Sequence, residues 1–554
     1  MKVKWLKMKK SSFVEGTFIA TAAIIFVKIL GMLYVIPFYA IVGTEGAALY
    51  AYAYNIYNIF LDISTVGLPV AISKITNEYN TLKKNDAKYR AYKIAINIMK
   101  FISVFVFVLL FLFAEPIARL IIGNLTGGNS AADITSVIRC ISLAILVIPY
   151  LSVTKGYLQG HNIINVSSVA NVIEQVIRII IILLGSYLVI NVFNGSYVTG
   201  VEIALSGAFF GGLAAYIYIK IKMNRNKKEL GLATTKKKDK ITNKEITKKI
   251  LMYSIPFIII NCVSSLYSFV DMVLVMRGMG MVGYNTKEVE FIATSISTWA
   301  GKINMIVISI AMGMTVSLIP SIVNSYTLKK WDDVNKKINT SLKMIIFISL
   351  PMAIGLSMLS KEVWAIFYGP SEIGATILSL SVFMAVFLNL YMVTSSIMQS
   401  LNRFGVVYKS AISGFLTNAL LDLPLILLFN KIGIPSYLGA IVATIIGYSL
   451  SIVISLVSIR KKQKEINYMD AIKTSFKILV PSLVMVLGLV LLQSVYHSNI
   501  DSNMGNLLYI GANAIVGIII YFGVSYKMGL FQSVFGKEQM DKYLKKLRLF
   551  ERLS

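Results

Sequence analysis

Phe101-Ile102-Ser103-Val104-Phe105-Val106-Phe107-Val108-Leu109-Leu110-Phe111-Leu112-Phe113-Ala114 carries no charge and closes an apolar run that begins near residue 94. As a helix, such a run is long enough to cross the hydrocarbon of a bilayer. Comparable runs recur from Gly16 to Gly529, about fourteen in all. Backbone amides in hydrocarbon must be satisfied within a helix or a closed barrel, and continuous runs fit helices rather than the alternating strands of a barrel. The fold class is therefore an all-α polytopic membrane protein. Its spans are expected near 16–41, 47–76, 94–114, 133–159, 165–191, 201–222, 250–277, 291–322, 339–359, 373–400, 408–430, 436–459, 476–495 and 505–528.

Of the 554 residues, 56% are hydrophobic and 14% charged, yet the net charge is +28. In a soluble protein that excess would suggest nucleic acid. Here the basic residues crowd into alternate connections between spans, as the positive-inside rule requires, and no nucleic-acid partner is expected. The segments at 2–10, 83–93, 220–249, 329–337, 460–477 and 537–552 are assigned to the cytoplasm, with both termini inside. The connections 43–47, 191–200, 361–372 and 497–506 are nearly free of net positive charge and read as external. The first run is too long for a signal peptide and reads as an anchor. Cys140 and Cys262 fall within spans as packing residues, and two histidines, His161 and His497, give hydrolytic or metal chemistry little to work with.

Two short matches reveal an internal repeat. Thr81-Leu82-Lys83-Lys84, followed by Asp86, returns as Thr327-Leu328-Lys329-Lys330 with Asp332; Val153-Thr154 through Gln159 to Asn162 returns as Val393-Thr394 through Gln399 to Asn402. Both displacements are roughly 240 residues and enclose six spans, so the copies run parallel. The implied organisation is an N-terminal lobe over 1–230, a basic linker to about 249, a second lobe over 250–460, two further spans over 461–530 and a basic tail at 531–554.

Ionisable groups inside spans are costly and mark candidate sites. Glu174 and Arg178 are four residues apart, the spacing of an intrahelical ion pair, and read as mutually neutralising. Arg139 and Lys155 lie near span ends, within snorkelling reach. Lys28, Asp62 and Lys302 lie about twelve to fourteen residues deep, roughly 18–21 Å from the outer ends. Either the three form a cationic binding site or Asp62 neutralises Lys28 structurally. Asp271, Asn418, Asp422 and Thr444 offer oxygen ligands at similar depth, suited to a hard monovalent cation or to plain interhelical hydrogen bonding.

The segments Lys28-Ile29-Leu30-Gly31, Gly67-Leu68-Pro69-Val70-Ala71-Ile72-Ser73-Lys74, Lys155-Gly156-Tyr157-Leu158-Gln159-Gly160 and Val172-Ile173-Glu174-Gln175-Val176-Ile177-Arg178 resemble the polysaccharide-export branch of the multidrug/oligosaccharidyl-lipid/polysaccharide flippase superfamily. The likeness is strongest to the stage V sporulation protein B group and its MurJ-type lipid II flippase relatives. It implies a transporter rather than an enzyme, with two lobes around a central cavity in the bacterial cell membrane; the chain is expected to act as a monomer. It would move an undecaprenyl-pyrophosphate-linked sugar, lipid II foremost, to the outer leaflet by alternating access, in wall synthesis or sporulation. The resemblance puts Lys28, Asp62 and Lys302 at the substrate, with Arg139 counted as a further substrate-binding candidate from the sequence alone, and it puts a sodium ion among Asp271, Asn418, Asp422 and Thr444; no other cofactor is expected. Gram-negative MurJ-type flippases carry more arginine in the first two spans than this chain does. The alternatives are an exporter of another lipid-linked oligosaccharide, a multidrug cation antiporter, which would need a more acidic cavity, and a membrane enzyme, for which the external connections hold no cluster of carboxylates or histidines.

Overall fold

The computed structural model describes residues 23, 26–65, 67–123, 125–227, 230–232, 239–498 and 503–535. The basic segments 2–10 and 537–552, the stretch 233–238 and the start of the first span at Gly16 lie outside the described residues. Among the described residues the regular structure is helical, with no strand, as hydrocarbon dictates when each backbone amide must be satisfied within its own segment. The chain packs as two compact units, Met1–Thr298 and Trp299–Ser554. This boundary falls inside the eighth span, whereas the sequence repeat divides the chain at the basic linker.

In the first unit, residues 26–33 are helical and lead through Tyr34 into α1 (Val35–Thr65), which is broken at Gly43 with φ 70°. The helical stretch Phe26–Thr81 has 56 residues, about 84 Å if straight, far more than one crossing of a bilayer. The break at Gly43 divides it into two crossings, so the thirteen apolar helical stretches among the described residues supply about fourteen spans. A side chain with Cβ rarely adopts this backbone, which is why a single glycine suffices where the sequence suggests a loop over 43–47. Then follow α2 (Gly67–Thr81), α3 (Asn85–Leu112), α4 (Ala114–Ile122), α5 (Ala131–Ile145), α6 (Ile148–Gly160) and α7 (Ile164–Ile180), which runs on through π-helical turns at Ile181–Gly185 and Leu188–Val192. The unit continues with α8 (Tyr197–Arg225), α9 (Asn243–Val282) and α10 (Thr286–Thr294). The single span expected at 133–159 is thus two helices, α5 and α6, with Pro149 in the first turn of α6, where no intrahelical N–H is needed. Capping boxes at Ser130/Asp133, Thr242/Glu245 and Asn285/Glu288 start α5, α9 and α10, satisfying amide groups that the first turn leaves open.

The second unit holds α11 (Ala300–Thr327), α12 (Trp331–Met358), α13 (Ser360–Tyr368), α14 (Glu372–Ser400), α15 (Phe404–Lys431), α16 (Leu438–Lys462), α17 (Met469–Val495), α18 (Asn503–Lys527) and the short α19 (Leu530–Phe535). The last two spans pack on α12: Phe347, Met485, Leu489 and Tyr521 share one core, and the Tyr521 hydroxyl donates to the Phe347 carbonyl at 2.7 Å.

The backbone carries the repeat seen in the sequence. Lys83 and Lys329 both adopt left-handed conformations, φ 56° and 55°, and so do Asn162 and Asn402, φ 60° and 56°. Non-glycine residues seldom do so. A short helix follows the third span and another the ninth, α4 and α13, each ended by a glycine of positive φ, Gly123 and Gly369. The sequence assigns 361–372 to a loop; its first half is α13.

Candidate functional site

Helices approach one another closely where glycines permit. A Cβ on Gly156 of α6 would stand 2.4 Å from the Pro69 carbonyl of α2, and one on Gly160 2.6 Å from the Ser73 carbonyl. On α8, a Cβ at Gly207 would meet the Arg178 carbonyl at 2.9 Å and one at Gly211 the Glu174 carbonyl at 2.5 Å. Small residues one turn apart are the usual device for close helix packing in lipid, where no hydrophobic force drives association. Here two such pairs fix α6 against α2 and α7 against α8, and so set the facing positions of Lys155, Glu174 and Arg178.

Ser152, Lys155 and Gln159 lie on one face of α6, and Asn171, Glu174, Gln175 and Arg178 on one face of α7, at spacings of three and four residues. Together with Lys28 they line a cavity of 590 Å³ in the first unit. The Glu174 carboxylate is held from two sides. Lys155 Nζ donates to Oε2 at 2.9 Å and Arg178 Nη2 to Oε1 at 2.9 Å. The three side chains are only 15–18% exposed. Three cations against one acid leave the lining with a net charge of about +2, and the Arg178 Nε–H finds no acceptor among the described residues. A buried donor left open costs free energy unless a ligand takes it up. The arrangement suits a compact, multiply charged anion.

The Glu174–Arg178 pair forms as its spacing predicts, but it is only part of the arrangement. Lys155, which the sequence reads as a snorkelling residue, completes a three-membered cluster. The signal was present in the sequence as two polar helical faces in otherwise apolar spans; what joins them is tertiary. Asp62 follows Leu61, a lining residue, yet does not line the cavity itself; its carboxylate accepts from the Ser265 hydroxyl of α9. Lys302 is half-buried on α11 of the second unit. Arg139 stands apart from the cavity: it is exposed on α5, with its guanidinium 5.1 Å from the centre of the Phe111 ring and its Nε donating to the Phe111 carbonyl at 3.3 Å.

In the second unit, Asn418 Nδ2 donates to Asp422 Oδ1 at 3.0 Å and to Thr444 Oγ1 at 3.2 Å, while the Thr444 hydroxyl donates to the Ala440 carbonyl at 3.1 Å. All three side chains are buried. Pro424 lies just beyond in α15, and Gly439 of α16 packs against the Leu425 carbonyl there. Asn418 Oδ1 has no hydrogen-bond partner among the described residues. An orphaned amide oxygen beside a carboxylate and a hydroxyl fits a small hard cation. Asp271 is buried on α9, in the first unit.

The polysaccharide biosynthesis protein family matches residues 13–286, and the MatE family matches 256–423. The chain is 30% identical over 537 residues to the lipid II flippase MurJ of Bacillus subtilis (strain 168), covering 95% of this chain and 97% of that protein. It is 23% identical to stage V sporulation protein B of the same organism, covering 74% and 77% of the two chains. The solved inward closed conformation of a lipid II flippase MurJ superposes with a TM-score of 0.66 at 18% identity, covering 94% of this chain and 100% of that one.

Proposed function

Because the chain belongs to the multidrug/oligosaccharidyl-lipid/polysaccharide flippase superfamily, in its polysaccharide biosynthesis branch with the MurJ proteins, we propose that it is a flippase for an undecaprenyl-diphosphate-linked sugar, with lipid II as its cargo. The observation that carries this reading is the cationic cavity. A diphosphate is a concentrated anion that has no favourable place in hydrocarbon, and Lys28, Lys155 and Arg178 provide its counter-charge inside the spans. Arg178 offers a planar fork of donors, while the lysines act as point charges that tolerate several headgroup orientations. Asp62 lies on the same proposed path in the first unit, and Lys302 is a cargo contact of the second.

The two lobes of the repeat open alternately to the two leaflets, the cavity meeting the headgroup on the cytoplasmic side and releasing it outside. The basic segments 83–93, 329–337 and 460–477 support a cytoplasmic location for that end of the bundle and for both termini. In the second unit, Asn418, Asp422 and Thr444 hold a sodium ion. Such an ion would supply a conformational bias, since a bound ion favours whichever state binds it better. The protein works as a monomer.

A cation antiporter is the reading that the MatE match favours. The net positive cavity opposes it, because an organic cation entering there would meet like charge. The experiment is replacement: expression in cells depleted of their own lipid II flippase should restore growth and the appearance of lipid II on the outer leaflet. Failure to do so, accompanied by efflux of organic cations, would reverse the assignment.

A further inference from the structure

Glu174 is the one acid among the described residues that line the cavity, and it occupies the place an anionic cargo must take. Its two oxygens are each held at 2.9 Å, Oε2 by Lys155 and Oε1 by Arg178. A carboxylate spanning two cations on neighbouring helices uses the donor geometry that two oxygens of a diphosphate would use. A purely structural pair would leave Arg178 satisfied; instead its buried Nε–H has no acceptor among the described residues, and a larger anion brings the additional oxygen that a carboxylate lacks.

We propose that Glu174 is a built-in stand-in for the diphosphate of the cargo. The inference rests on the reading of the cavity as a diphosphate site. In the empty protein the carboxylate neutralises Lys155 and Arg178, whose unpaired burial would be heavily penalised. The arriving diphosphate exchanges for it, ion pair for ion pair, and Glu174 turns towards the water of the open cavity. When the cavity opens on the other side, Glu174 closes back on its two cations and helps expel the headgroup. A carrier needs binding strong enough to load and weak enough to unload, and the competing carboxylate supplies the second requirement.

The test measures the binding of farnesyl diphosphate to the purified full chain in detergent at fixed ionic strength. Glu174→Gln removes the competitor and should bind about tenfold more tightly than the parent, within the usual range of coupling between linked sites, while transferring cargo more slowly in proteoliposomes. Glu174→Asp, whose shorter arm cannot span both cations, should fall between the two. Affinity equal to or weaker than the parent's in both variants overturns the proposal; if Glu174→Gln does not fold, Glu174→Asp decides by the same criterion. Lys155→Ala/Arg178→Ala separates the two levels of the argument. If that double variant binds like the parent, the diphosphate reading itself fails. If it loses affinity while the Glu174 variants gain none, the reading stands and the stand-in is refuted.

Discussion

The polar clusters Lys155–Glu174–Arg178 and Asn418–Asp422–Thr444 occupy related places in the repeat and, on the reading proposed above, take opposite guests. Counted from the left-handed residues Asn162 and Asn402, Arg178 corresponds to Asn418, Ile182 to Asp422, Ala204 to Thr444 and Glu174 to Gly414. The first cluster lines an open cavity and is net positive; the second is fully buried and carries one negative charge. The left-handed turns at Lys83 and Lys329 and at Asn162 and Asn402 have been kept in both copies, while the chemistry on the helices that follow has diverged. Access and charge together separate the proposed guests: a largely buried cationic face on an open cavity suits a large anion, and a closed oxygen-lined cluster with one carboxylate suits a small cation.

The largest expected effect breaks the comparison on its anionic side. Lys155→Ala/Arg178→Ala removes two charge-assisted contacts, each worth about 1.5–3 kcal/mol, and should lower diphosphate binding by at least about a hundredfold. Asn418→Ala should leave that binding unchanged. Equal losses in the two variants, measured with the same prenyl diphosphate, would mean that the clusters are not specialised.

On the cationic side, sodium at a hundredfold excess over its dissociation constant should stabilise the parent by about 2.7 kcal/mol relative to potassium. Thermal unfolding of Asp422→Ala should show no such difference. A sodium response that survives the substitution would reduce Asn418, Asp422 and Thr444 to packing contacts.

Next comes the scaffold of the first cluster. Gly211→Ala pushes a methyl group into the Glu174 carbonyl, which is backbone and gives way poorly, so a loss of about 1–3 kcal/mol is expected, with a parallel loss of binding. Gly301→Ala, in α11 where a Cβ meets nothing within 4 Å, should cost no stability, raising it by at most about 1 kcal/mol, and should leave binding alone.

These positions also show what the sequence discloses. The spans were legible because hydrocarbon imposes a single demand over some twenty residues. The reversal at Gly43 was less so, since one glycine does the work of a loop. The short helices α4 and α13 begin with Ala114-Glu115-Pro116 and Ser360-Lys361-Glu362, which read as loop until Pro116 is seen in a first turn, where proline is tolerated. In the site, Glu174 and Arg178 declare themselves by spacing along one helix. The third member, Lys155, depends on how α6 and α7 meet, which glycines on the α2-facing surface of α6 and the α7-facing surface of α8 decide and which no periodicity reports.

The smallest effect concerns the duplicated backbone. Lys83→Gly and Lys329→Gly each relieve a left-handed side chain worth about 1–2 kcal/mol, offset by the greater entropy of glycine in the unfolded chain. Both should shift the melting temperature upward slightly and equally. Unequal shifts would show that the two turns, though alike in conformation, are under different load.

The central claim is that the cavity of the first unit carries a diphosphate-linked sugar. Its most direct test is transfer of a fluorescent undecaprenyl-diphosphate disaccharide across proteoliposomes containing the purified protein, compared with Lys155→Ala/Arg178→Ala. The account predicts transfer by the parent and its loss in the double variant. Equal transfer by both, or none by a parent protein that moves organic cations instead, would contradict it.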